Sequence, residues 1–136
     1  MYVVGNSGGG NGYHLGLRVG VIAYLVGNSS SFVESSCGTK LANDGKWHHI
    51  AGVFDRSGGF LSCYMDGALD QKIPLLSYPG MFDGLPAIGK GYPGPGAFGT
   101  SFVGQLDNVK VFAANLSGLS IETLYNKEKL RHIAVE

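Results

Sequence analysis

The sequence predicts an all-β protein, an antiparallel β-sandwich with one short C-terminal helix. Three observations carry that expectation. Glycine makes up 23 of the 136 residues, a load that disfavours helices, because each interior glycine costs roughly 1 kcal/mol relative to alanine. Turn signals recur at short intervals: Gly5-Asn6-Ser7-Gly8-Gly9-Gly10, Gly27-Asn28-Ser29-Ser30, Asn43-Asp44-Gly45, Asp55-Arg56-Ser57-Gly58-Gly59, Asp66-Gly67 and Tyr92-Pro93-Gly94-Pro95-Gly96. Between them lie short strand-like runs, and only one segment near the end has helical periodicity.

In chain order, strands are expected near 2–4, 12–18, 21–26, 31–35, 46–54, 60–65, 68–73, 86–89 and 101–112. In 60–65, Leu61, Cys63 and Met65 share one face and Ser62 and Tyr64 the other. Asp66-Gly67 is a hairpin turn, since both central positions must accept positive φ. A helix is expected over 117–132, with Leu119, Ile121, Leu124, Tyr125 and Leu130 as its apolar stripe. Ser117 is its N-cap, and Lys127, Lys129, Arg131 and His132 complement the dipole at its C-terminal end.

Composition narrows the function classes. One domain is expected over 1–136, large enough to bury a core. Ten Lys plus Arg balance ten Asp plus Glu, so no long-range field draws the chain to nucleic acid or an anionic membrane. No apolar run approaches the ~20 residues that span a bilayer, and no signal peptide opens the chain. Cys37 and Cys63 permit one disulfide without implying it; two buried free thiols are favoured, with Cys63 facing the core.

The stretch "KWHHIAGVFDRSGGFLSCYMDG" holds the most chemistry. If 46–54 is a strand, Trp47, His49, Ala51 and Val53 face one way and His48, Ile50, Gly52 and Phe54 the other. His48 and His49 then cannot chelate one metal together. His49 is expected on the inner face beside Trp47, its ring nitrogens bonded to backbone.

That stretch, with "LPAIG" at 85–89 and "FVGQLDNVKVFAANLSGLSIETLY" at 102–125, resembles the laminin-G-like, concanavalin-A-like lectin/glucanase jelly-roll superfamily. The resemblance covers about 46–125 and is specific for fold, less so for ligand. It implies one or two further strands before Tyr2 that this chain lacks, leaving the edge of "MYVV" open to self-pairing and hence to a homo-oligomer. It implies an extracellular or cell-surface setting. A structural calcium is implied at Asp107, with Asn108 adding an oxygen.

Enzymes of this fold carry carboxylates on one strand, as in E-x-D-x-x-E, and no such triplet occurs here. No G-x-S-x-G elbow, P-loop or H-E-x-x-H is present either. Asp66 and Asp70 bracket a turn, and Asp66 is expected to bond turn amides. The expectation is therefore a non-catalytic recognition module that binds carbohydrate or a protein ligand at a loop-built rim. Tyr78, Phe82, Asp83, Tyr92 and Phe98 form that rim, with Asn43 and Asp44 as further polar contacts. A structural domain that self-associates through its sheet edge is the alternative.

Overall fold

A computed structural model describes residues 2–8, 11–27, 32–74, 86–88 and 101–133. Eight strands and one helix follow one another: β1 (Tyr2–Gly8), β2 (Asn11–Arg18), β3 (Val21–Gly27), β4 (Phe32–Leu41), β5 (Ile50–Asp55), β6 (Phe60–Met65), β7 (Ala68–Pro74), β8 (Pro86–Ile88) and α1 (Gly118–Ile133). They form a five-stranded sheet, β4-β3-β2-β1-β8, and a three-stranded sheet, β5-β6-β7, with every paired neighbour antiparallel. The β-sandwich expected from the sequence is what forms.

The apolar faces meet between the sheets. Leu15, Leu17, Ile22, Tyr24 and Cys37 come from the larger sheet, and Leu61, Cys63 and Met65 from the smaller one. Leu61, Cys63 and Met65 are buried in alternation with half-buried Ser62 and Tyr64, as the period of two requires. Phe54 reaches in from β5 and meets the Tyr24 ring edge-on, with centroids 6.1 Å apart. Gly52 stands opposite Leu15, and a Cβ there would lie 3.0 Å from a Leu15 methyl. Its missing side chain lets β5 approach the larger sheet.

Both cysteines are buried in this interface, and there the expectation of free thiols fails. Cys37 of β4 and Cys63 of β6 form a disulfide, with Cα atoms 5.9 Å apart. Alternation correctly aims Cys63 inward; what puts Cys37 opposite it is the stacking of the two sheets. Asp70 of β7 adds a polar clasp on β4, accepting bonds from Thr39 N–H at 2.8 Å and Thr39 Oγ1 at 2.6 Å.

Two tight turns use left-handed backbone. Asp66 (φ 53°) and Gly67 (φ 81°) join β6 to β7, the hairpin expected from that dipeptide. Val19 (φ 50°) and Gly20 (φ 83°) join β2 to β3, and a β-branched residue in that conformation is strained. Val19 is 91% exposed, so its side chain offsets little of that strain by packing. Val19→Asn should therefore raise stability by about 1 kcal/mol, read as a higher urea midpoint at unchanged m.

Helix α1 covers the outer face of the three-stranded sheet. Tyr125 lies over Gly67, Ile121 is buried, and Gly118 packs near Tyr64. Ser117 Oγ accepts the Ser120 N–H at 3.1 Å, so it is the N-cap that the sequence predicts. The helix also corrects a face. Ile50, Gly52 and Phe54 point to the core, whereas His49 turns to the helix side, its ring 6.0 Å from that of Tyr125. His49 therefore sits on the outer, helix-covered face, not the inner one.

Two further expectations change. β8 pairs with β1 at Val4, Gly5 and Asn6, so β1 is an interior strand and its edge is not open for self-pairing there. Segment 101–112 forms no strand beyond a bridge at Ser101. Gly104 (φ 154°) and Asn108 (φ 52°) break the extended backbone that a ladder needs. The strand expected from residue 46 begins at Ile50, and β4 extends well beyond 31–35.

Candidate ligand-binding cleft

Strand β5 is an edge of the smaller sheet. Its register with β6 and the bond from Asp66 N–H to the His49 carbonyl (2.8 Å) show which residues face the ladder. Residues 51, 53 and 55 are the hydrogen-bonded partners, so Ile50, Gly52 and Phe54 turn their N–H and C=O groups to the free edge. Among the described residues, β5 has no strand partner there.

Segment 102–116 runs past this edge, and a cavity of about 1070 Å³ lies between the two. The walls are largely apolar: Leu15, Phe54 and Phe102 on the core side, Ile121, Leu124 and Tyr125 on the helix side. A cleft of this size suits a ligand with apolar faces and a few fixed polar contacts.

Its mouth carries the polar groups. Trp47 is 45% exposed and stacks on His132 of α1, with ring centroids 4.2 Å apart and planes 22° from parallel. His132 Nε2 lies 3.4 Å from Asp107 Oδ2, and Lys110 pairs with Glu128. Each carboxylate on the cleft lining thus faces a base.

The two adjacent histidines have opposite environments. Burial lowers the His49 pKa, opposed by the charge of Asp66 and reinforced by that of Lys110, so its ring is neutral at pH 7. Its backbone N–H bonds Asp66 Oδ1 at 3.0 Å, but Nδ1 has no partner among the described residues, contrary to the backbone bonds expected for the ring. His48 instead holds Asp66 with Nδ1 and Asp44 with Nε2, both at 2.9 Å. This bridge escaped the sequence reading. The i, i+4 spacing of Asp44 and His48 was a faint signal for one half, whereas Asp66 arrives only through the β6–β7 hairpin.

The rim residues Tyr78, Phe82, Asp83, Tyr92 and Phe98 lie outside the described residues. Asn43 packs against Gly20, and Asp44 is engaged by His48. Asp107 and Asn108 stand at the cleft, Asp107 with a histidine beside it. Among the described residues no group of three or more metal-ligating side chains gathers.

The model of the concanavalin A-like lectin/glucanases superfamily, of laminin-G type, matches residues 1–122. The fold resembles the crystal structure of an S-layer domain-containing protein (residues 221–444) from Clostridium thermocellum, with TM-score 0.52 and 22% identity. The match covers 87% of this chain and 58% of that one, so this chain spans less than two thirds of that structure's length. Curated proteins yield no match.

Proposed function

The chain belongs to the concanavalin A-like lectin/glucanases superfamily, and we propose that it is a non-catalytic recognition module whose ligand enters the cleft beside β5. The observation that carries this reading is the apolar cavity with half-exposed Trp47 at its mouth. An indole offers a flat face to a sugar ring or to an apolar side chain, and the neighbouring Asp107 supplies an acceptor. Glycan is the first ligand class and a protein segment the second.

Catalysis is disfavoured on chemical grounds. Glycoside hydrolysis needs one carboxylic acid that keeps its proton and one free carboxylate. Asp107 and Glu128, the acidic side chains on the cleft lining, are held by His132 and Lys110. The assembly alternative loses its β1 edge to β8. We place the domain in an oxidising, extracellular or cell-surface setting, because a buried disulfide persists where thiols are not kept reduced. No described helix is long and apolar enough to cross a membrane.

A glycan array followed by titration of the intrinsic fluorescence tests the reading, since Trp47 is the sole tryptophan. Trp47→Ala, read by isothermal calorimetry because it removes the fluorophore, should weaken binding of the best ligand by about 2 kcal/mol, roughly thirtyfold in Kd. Equal affinity of the variant would move the site away from this cleft. Titrations with calcium and with chelator decide the ion: a calcium-dependent affinity lost in Asp107→Asn would assign it to Asp107.

A further inference from the structure

His48 is hydrogen-bonded at both ring nitrogens, and both partners are carboxylates: Asp66 Oδ2 at Nδ1 and Asp44 Oδ1 at Nε2. An ionised carboxylate only accepts, and a neutral imidazole has one N–H to give. Both bonds exist together only when the ring carries two protons. The ring side chain is only 15% exposed, so water cannot readily replace a lost partner.

The two carboxylates belong to different parts of the chain. Asp44 lies in the loop 42–49, whereas Asp66 lies in the β6–β7 turn and also accepts the His49 N–H. We propose that protonated His48 is a clamp that latches the 42–49 loop to the β6–β7 turn and releases its Asp44 end as the pH rises.

On loss of a proton, one ring nitrogen turns its lone pair on a carboxylate oxygen, and that contact must open. Asp66 has a second bond, from the His49 N–H, and sits in a defined turn. Asp44 is the more easily parted. Its other partners are local: the Lys46 N–H at 3.0 Å and the Lys46 ammonium at 3.9 Å. Trp47 lies between Lys46 and His48 on the same loop and is held separately by its stack on His132.

Electrostatics support the sign. Desolvation pulls the His48 pKa down, but hydrogen bonds to Asp66 and then Asp44, with their charges, outweigh it and leave the value raised. The Asp44 carboxyl is held below its usual value, first by the bond from His48 and then by that from Lys46 N–H. Among the described residues, the other charged and titratable groups on this side include Lys46 on the loop, His49 beside the ring, Lys110 from segment 102–116, and Glu122, Tyr125 and His132 from α1. Because the folded His48 pKa lies above the unfolded one, the clamp is fully present below the ordinary imidazole value. It is lost as pH rises through the raised value. At the acid end it is lost as pH falls through the depressed Asp44 value.

The test uses the ligand-free protein, so it stands or falls separately from ligand binding at the cleft. NMR titration follows the four histidine rings while amide exchange, corrected for intrinsic pH dependence, follows Lys46 to His49. His48 should titrate above the ordinary imidazole value, with His14 pushed down to about 4 and His49 also lowered. Loop protection should fall about tenfold or more across the His48 titration, and His48→Gln should abolish that fall. Asp44→Asn, on an exposed side chain, should lower the His48 midpoint by about half a unit or more and keeps the test decisive if His48→Gln fails to fold. The clamp is overturned if His48 titrates at or below the ordinary value, if Asp44→Asn leaves its midpoint unchanged, or if loop protection is constant through its titration.

Discussion

Replacing Cys37 and Cys63 together by alanine should lower the unfolding free energy by about 3.5 kcal/mol, the loop-entropy value for a bridge closing this span. The two residues are 26 apart in sequence and fully buried, and they join strands of opposite sheets. Without the bridge, side-chain packing and the Asp70 clasp are what hold β4 against the smaller sheet among the described residues. A single domain is stable by roughly 5–15 kcal/mol, so the variant should remain folded at 25 °C with a much lower melting temperature. Denatured, non-reduced wild-type protein should show no thiol to Ellman's reagent. Two titratable thiols there would reject the bridge, and an unchanged urea midpoint in the double variant would reject its stabilising role.

A second large effect is expected at Leu61. Its side chain is completely buried and lies on the β6 face that meets Leu15, Leu17, Ile22 and Tyr24. Leu61→Ala removes buried methyl groups and leaves a cavity, which should cost about 3–4 kcal/mol. By contrast, Leu119→Ala on the exposed face of α1 should change stability by less than about 0.5 kcal/mol. Chemical denaturation of the two variants side by side gives the comparison. A Leu61→Ala loss below that of Leu119→Ala would mean that the sheets do not meet where this core places them.

Local residue choice already contains much of the fold. Alternation in 60–65 names the buried face of β6, Asp66-Gly67 names its turn, and Ser117 names the helix start. All of these depend on neighbours within a few residues, so periodicity and turn chemistry reach them. The candidate site was less legible. Asp107 came from the family resemblance and Trp47 was expected on the inner face, while their common neighbour His132 was read only as a cation at a helix end.

By itself the sequence determined the sandwich class and the inward aim of Cys63, because a strand's side-chain period is two whatever surrounds it. Only the tertiary structure decided which of the two faces of β5 is the core. Helix α1, more than sixty residues downstream, covers the other face and draws His49 to it. The same is true of the Cys37–Cys63 bridge, the coverage of β1 by β8, and the two carboxylates on His48. Each needs two segments that meet only when the sheets stack or pair, and no local pattern encodes the partner across that gap. Segment 101–112 shows the converse: its residues favour extension, but left-handed Asn108 and the lack of a ladder leave it beside β5 as the wall of a cleft.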